Sequence, residues 1–245
     1  MIHKLTLEGG PGGSGVDLVL HYSSDLLQLV GTQYNLIGFD PRGVNNSGPV
    51  VDLDCFLNNS DARAAFENNF FTDVSNASST STGTQYYAAD FFGKWCTEAI
   101  RSENGTGQYV STPAVAQDML SYIKAEQKAA EKNETDAKLW YYGVSYGTVL
   151  GVTFASLFPD HVGRLILDGV LDAEDYYNNG WKSNLFDADK AIDSFSTFCH
   201  ESGPNNCSFW GPSAQNITDR LDNILAGLKD NPIPVLCLEA VAHLA

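Results

Sequence analysis

The sequence predicts an α/β protein, a mostly parallel sheet flanked by helices, and three observations carry that prediction. Short apolar runs at residues 4–7, 34–40, 139–142 and 164–170 alternate with segments of helix length. That alternation builds parallel sheets through right-handed crossovers. A Gly-rich turn, Gly9-Gly10-Pro11-Gly12-Gly13, follows the first run, and Gly143-Val144-Ser145-Tyr146-Gly147 lies where the third run gives way to an apolar helical segment. At 245 residues, 43% apolar and 18% charged, the chain has the length for one good-sized domain, or a core with an insertion.

Each element follows from local pattern. Residues 4–7 read as the end of a strand that runs into the loop 8–15. A flexible linker is not expected between a strand and an amphipathic segment such as 16–30, so the loop reads as a turn whose backbone N–H groups can face an oxyanion. The loop has no Gly-x-x-x-x-Gly-Lys-Ser/Thr, and the Gly-x-Gly-x-x-Gly spacing that Gly10, Gly12 and Gly15 make is not read as a well-placed phosphate site. Residues 34–40 form a second strand, ended by Pro41-Arg42-Gly43. From about 45 to 112 the chain is rich in Asn, Ser, Thr and aromatics, with a low-complexity centre at 75–84. This stretch is too long for a plain connection and reads as a surface insertion, with a helix near 88–100 pinned through Cys96. Thr112-Pro113 opens a helix whose apolar stripe is Val115, Met119, Tyr122 and Ile123. A charged stretch, 128–138, precedes the strand 139–142; a helix at 148–158 stops at Pro159, and 164–170 is a further strand. Beyond Asp172 no sheet strand is evident. Helices are expected over 186–200, with Ile192, Phe195 and Cys199 inward, and through Ile217, Leu221, Ile224, Leu225 and Leu228. The expected division is therefore a core at 1–172 with its insertion, a partial helical cap over the sheet's carboxyl edge at 173–235, and an unassigned tail at 236–245.

Composition bounds the function. With 14 basic against 30 acidic residues, the chain lacks the basic face that nucleic acid requires. No apolar stretch has the length to span a bilayer. Sequons at Asn45, Asn58, Asn76, Asn104, Asn133, Asn206 and Asn216 imply N-linked glycans and a secreted protein. Cys199 and Cys207 flank a Gly-Pro turn and fit a local disulfide, Cys55 and Cys96 bracket the polar region and can pair across it, and Cys237 is left over. Metal-ligand spacing is absent, and no metal or cofactor is expected. The N-terminal residues lack a secretory leader pattern, which implies a chain that begins late.

Gly-x-Ser-x-Gly at a strand-to-helix junction is the pattern of a nucleophile elbow. Ser145 must occupy a strained turn, neighbouring chain passes so close that glycine is required at 143 and 147, and the following helix aims its N-terminal N–H groups at a developing oxyanion. Chance matches are common; the placement between a clean strand and a clean helix argues for a true elbow.

Gly9-Gly10-Pro11-Gly12-Gly13, Gly38-Phe39-Asp40-Pro41-Arg42-Gly43, Gly143-Val144-Ser145-Tyr146-Gly147 and Leu167-Asp168-Gly169-Val170 occur in that order. Together they resemble the secreted prolyl and tripeptidyl aminopeptidases, the TAP-like serine peptidases of the α/β-hydrolase family. The resemblance implies an α/β-hydrolase fold, peptide substrates cleaved from a free amino terminus through an acyl-enzyme, Ser145 as nucleophile, and the N–H groups of Tyr146 and Gly10 as oxyanion donors. Glu8 stands where the family commonly has His. The family's acid and base follow the serine on later strands. Of the downstream histidines, His161 and His200 read as structural, His243 lies too near the C-terminus, and Asp168 follows the elbow helix too closely to be the acid. The chain therefore reads as an N-terminal fragment with its final strands, Asp and His missing, and little activity alone. Two rival readings stand beside the aminopeptidase: a carboxylester hydrolase, and a secreted non-catalytic binding protein built on a decayed hydrolase. Glu174 and Asp175 are candidates to meet a substrate's amino terminus.

Overall fold

The four apolar runs pair into one parallel sheet in the order β2-β1-β3-β4, formed by β1 (Ile2–Leu7), β2 (Tyr34–Gly38), β3 (Leu139–Val144) and β4 (Val162–Asp168). The computed structural model describes residues 2–7, 10–45, 47, 55–56, 59–70, 78–102, 106–178, 180–231 and 233. Registers run Ile2↔Tyr34 to Thr6↔Gly38, Leu5↔Tyr141 to Leu7↔Gly143, and Trp140↔Arg164 to Val144↔Asp168.

Helix α1 (Gly15–Val30) covers one face, where Leu18 and Leu26 pack with Tyr142. Ser14 caps it by accepting from the Asp17 amide, and Gly31, at φ 98°, ends it. Gly38 admits this packing: a Cβ there would run into the backbone of Gly15 and Val16. The other face carries α4 (Thr112–Ala129) and α5 (Tyr146–Leu157). The main core lies between them and the sheet, with Val115, Met119, Leu139, Val149, Leu150 and Phe154 at 2% exposure or less. The expected stripe on α4 is the buried one, apart from Tyr122, which packs against its edge.

Within the polar stretch after β2 stand α2 (Ser60–Phe70) and α3 (Ser81–Ser102). Cys55 and Cys96 form a disulfide, as their placement allowed, and the Trp95 indole donates to the Cys55 carbonyl at 2.6 Å. The inserted helix is longer than expected, beginning at Ser81 instead of 88, and α2 was not expected. Its sequence has no apolar stripe; Phe66 holds it by stacking on Phe92, ring centroids 4.6 Å apart, with Phe56 beside both. Strand β4 starts at Val162 and ends at Asp168, earlier than expected, because Gly169 turns the chain into the left-handed region at φ 61°.

The chain divides into two compact units, residues 1–181 and 182–245. The first ends with the short α6 (Ala173–Tyr177). The second holds α7 (Ala188–Ser202) and α8 (Ala214–Asp230), joined by a bond from Thr218 Oγ1 to Ser196 Oγ at 2.9 Å, while a Cys199–Cys207 disulfide ties α7 to the loop that follows it. Helix α7 starts at Ala188 instead of 186, after Asp187 in a left-handed conformation. Among the described residues no helix is long and apolar enough to cross a membrane. Cys237, His243 and the tail 236–245 lie outside the described residues, as do Glu8 and the sequons at Asn58, Asn76 and Asn104.

Candidate functional site

Strand order alone marks one place on this sheet. The chain leaves β1 for β2 on one side, then crosses back to lay β3 on the other. In open parallel sheets the crevice beyond the carboxyl ends of two such strands is where ligands bind, because the outgoing loops diverge there. Leu7 pairs with Gly143, so the Gly-rich loop and the turn at Ser145 leave adjacent strands at the same edge.

Ser145 occupies φ 54°, ψ −119°, a conformation L-residues seldom adopt. Three elements hold it. Its amide donates to the Asp168 carbonyl at 2.9 Å, tying it to β4. Its carbonyl accepts from the Thr148 amide at 2.9 Å and from Thr148 Oγ1 at 2.6 Å, tying it to α5. Thr148 Oγ1 in turn accepts from the Leu171 amide at 3.1 Å, drawing in the chain beyond β4. Tyr141, 2% exposed, donates its hydroxyl to the Gly147 carbonyl at 2.7 Å. Gly143 sits where a Cβ would meet that same carbonyl oxygen and the Tyr141 ring, both at 2.5 Å. The close approach expected at Gly143 is therefore present.

Tyr146 opens α5, and the first N–H groups of a helix have no acceptor within it, so they face outward at its positive end. Its side chain points the other way: the hydroxyl meets Thr112 Oγ1 at 2.8 Å in a buried pair, and the ring lies 5.9 Å from that of Tyr176. Burial pushes the Tyr141 hydroxyl above its ordinary range. Tyr142 is pushed up to about 12, by burial first and then by its hydrogen bond to, and the charge of, Asp168. Tyr141 and Tyr142 are neutral structural donors at neutral pH.

The Gly-rich loop curls tightly. Gly10 has φ 127°, and a Cβ there would meet the amide nitrogens of Gly12 and Gly13 at 2.6 and 2.9 Å. Asp40, just past β2, anchors the loop's exit. Its carboxylate accepts from Ser14 Oγ at 2.6 Å, from the Val16 amide at 3.2 Å and from Asn45 Nδ2 at 3.3 Å. Beside it Arg42 makes a two-pronged pair with Asp118 on α4, Nε to Oδ2 at 2.7 Å and Nη2 to Oδ1 at 2.5 Å, and donates to the Tyr109 carbonyl at 3.1 Å.

The histidines whose side chains are described, His21, His161 and His200, are each held by a backbone carbonyl. His161 has its Nδ1 at 2.8 Å from the Ala137 carbonyl, at the start of β3. With about 3.3 Å per residue along a strand, that is on the order of 20 Å from the elbow at the other end of β3. His200 meets the Gly211 carbonyl at 2.9 Å and stacks on Trp210 within the second unit, and His21 meets the Asp17 carbonyl on the exposed side of α1. Asp168 accepts from the Tyr142 hydroxyl at 2.9 Å while its carbonyl holds Ser145, in keeping with a structural part. Glu174 is exposed and Asp175 half-buried on α6, both capped by Asp172. Among the described residues no side chain hydrogen-bonds Ser145 Oγ, and no group of three or more His, Cys, Asp or Glu could hold a metal.

Sequence reasoning missed the residues that support the elbow. Tyr141 and Thr148 read as members of apolar runs, though a hydroxyl inside such a run must find a partner when buried, and that was the available signal. The Asp40 cluster joins residues 26 and 31 positions apart, beyond the reach of local pattern.

No protein-family model matches the chain. It is 34% identical over 171 residues to a tripeptidyl aminopeptidase of Streptomyces coelicolor, covering 67% of this chain and 27% of that protein. It is 33% identical over 164 residues to the serine protease Hip1 of Mycobacterium tuberculosis, covering 67% and 28%. It is 24% identical over 198 residues to the putative hydrolase YuaR of Escherichia coli, covering 80% and 34%. The chain spans about a quarter to a third of the length of these relatives.

Proposed function

Because this chain belongs to the TAP-like serine peptidases of the α/β-hydrolase family, we propose that it carries the nucleophile half of a serine peptidase, with Ser145 forming the acyl-enzyme. One observation carries the reading above all: a serine held at φ 54°, ψ −119° between a parallel strand and a helix N-terminus. Such strain persists where the surrounding structure over-determines it, and it is characteristic of reactive positions. The Tyr146 amide, at the positive end of α5, and the Gly10 amide, in the curled loop beside it, are the oxyanion donors. Attack by Ser145 Oγ on a peptide carbonyl would place the new negative charge between them, which is worth several kcal/mol in a site of this kind.

The substrates are peptides bearing a free amino terminus, from which residues or short peptides are released. The relatives' names support this, as does a net charge of −16 that favours a cationic end. Two disulfides support a secreted protein. The proton acceptor that Ser145 needs comes from outside the described residues, and this chain by itself acylates slowly. The support is positional: His161 is fixed at the opposite edge of the sheet, and no described side chain of the first unit hydrogen-bonds Ser145 Oγ.

A fluorophosphonate probe tests the reading on the full chain against Ser145→Ala. Slow labelling that disappears in the variant supports an assembled elbow and oxyanion hole. Labelling that survives in Ser145→Ala overturns the assignment of the nucleophile, and complete inertness of a folded chain favours a non-catalytic binding protein. Free and N-acetylated aminoacyl substrates then separate a peptidase from an ester hydrolase, since only a site for a cationic terminus discriminates between them.

A further inference from the structure

Sequons at Asn45 and Asn133 look alike in sequence, and both asparagines are exposed by area. Their amide groups are not alike. N-glycosylation joins the side-chain nitrogen Nδ2 to C1 of the sugar, with a lipid pyrophosphate leaving the oligosaccharide donor and one amide proton lost. The modified nitrogen keeps a single N–H. An asparagine can carry a glycan in the folded protein only if at least one of its two Nδ2 hydrogens is not needed by the fold and the space beyond it is open.

At Asn45 both hydrogens are used. Nδ2 donates to Ser14 Oγ at 3.1 Å and to Asp40 Oδ2 at 3.3 Å. These acceptors are the cap of α1 and the carboxylate that anchors the exit of the Gly-rich loop. The backbone agrees with that use: Asn45 sits at φ 47°, a left-handed conformation that Asn tolerates better than most residues. A sugar on Nδ2 would break one bond and stand between Ser14 and Asp40. At Asn133 the fold uses the other end of the amide. Oδ1 accepts from the Thr135 amide at 3.1 Å, capping a short turn after α4, and among the described residues nothing bonds Nδ2 of this exposed asparagine. Asn206 is intermediate, giving one hydrogen to the Ser202 carbonyl at 3.0 Å.

We propose that Asn133 is a glycan-bearing site of this protein and that Asn45 is not, its amide serving instead as a structural clamp on the loop that follows β1. This rests on the reading of the chain as a secreted protein. Transfer to Asn45 before folding is chemically open, but such chains close the Ser14–Asp40–Asn45 cluster one bond short and with a sugar against it, and are depleted from the folded population.

The test directs the full chain through the secretory pathway of a glycosylating host with a cleavable leader, so the compartment is imposed and only site choice is read. Limited proteolysis separates folded from unfolded chains. Enzymatic deglycosylation in heavy-oxygen water then marks each formerly glycosylated Asn in both fractions. Label at Asn133 and none at Asn45 in the protease-resistant fraction supports the proposal. Thr135→Ala, which deletes the sequon while sparing the Thr135 amide, should then remove the mass of one glycan from the folded protein. Label at Asn45 in the resistant fraction, or none at Asn133 while other sequons are marked, overturns it. Absence of glycan at every sequon overturns it too, and leaves the serine-hydrolase reading untouched.

Discussion

Gly143→Ala is the sharpest test of how the elbow is built. The added methyl would stand 2.5 Å from the Gly147 carbonyl oxygen and 2.5 Å from Cε1 of Tyr141. Ordinary contact begins near 3.4 Å, so relief demands a retreat of about 0.9 Å from both obstacles. Neither is free to give, because the Tyr141 hydroxyl is bonded to that same carbonyl and the ring is buried against α5. Overpacking of this kind costs about 1–3 kcal/mol, and two tethered obstacles place it at the upper end, about 3 kcal/mol. For a unit of this size that lowers Tm by about 6–12 °C. Gly93→Ala is the matched control: it lies inside α3 with nothing within 4 Å of the new methyl, and replacing a helical glycine stabilises by about 0.5–1 kcal/mol. Differential scanning fluorimetry on both variants, with fluorophosphonate labelling in parallel, reads the outcome. Gly143→Ala melting within about 2 °C of the parent, while labelling at the parent rate, would refute the account of the elbow as a closed packing problem.

Three further outcomes are expected. A double-mutant cycle on Arg42→Ala and Asp118→Ala should give a coupling of about 1 kcal/mol, because the pair is two-pronged but only half-buried; a coupling near zero in urea melts would reduce it to a surface contact. Removing the Cys199–Cys207 bridge with Cys199→Ser and Cys207→Ser should destabilise the second unit by about 2.5 kcal/mol, from the entropy of closing an eight-residue separation. Hydrogen exchange should then quicken in α7 and α8 and not in β3, and equal acceleration in both would contradict the division into two units. Tyr142 has its pKa raised from 10.0 to about 12, so its contribution is fully present below pH 10 and is lost as pH climbs from about 10 to about 12. Urea midpoints across that window should fall less steeply in Tyr142→Phe than in the parent, and equal slopes would remove Tyr142 as the source.

The sheet was legible where one strand's pattern sufficed. Residues 139–142 form an apolar run that stops at a glycine, and strands buried on both faces read that way. The cysteine pairs were legible from spacing. Helix α2 was not, because Ser60–Phe70 carries no stripe for periodicity to find and depends on rings contributed by Phe56 and Phe92. At the site, Ser145 and its glycines could be read from a five-residue motif. The groups that hold them could not, since the acceptor for the Ser145 amide is a backbone carbonyl on another strand, and backbone carbonyls carry no sequence signature.

That last contact has a consequence for the chemistry. The conformation at Ser145 costs on the order of 1–3 kcal/mol. The bonds around it, from the Ser145 amide, the Thr148 amide and hydroxyl, the Leu171 amide and the Tyr141 hydroxyl, contribute about 0.5–1.5 kcal/mol each, enough together to offset it. Every one of those donors and acceptors belongs to β3, β4, α5, Ser145 between β3 and α5, or the residues just after β4, and none is a histidine or a carboxylate side chain. The elbow is thus set by the sheet and its first helix, independently of whichever group takes the serine's proton. Positioning of the nucleophile and activation of the nucleophile are then separable contributions. A proton acceptor brought to this edge would meet a serine already aimed, and would raise the acylation rate without altering the stability of the β3–α5 turn.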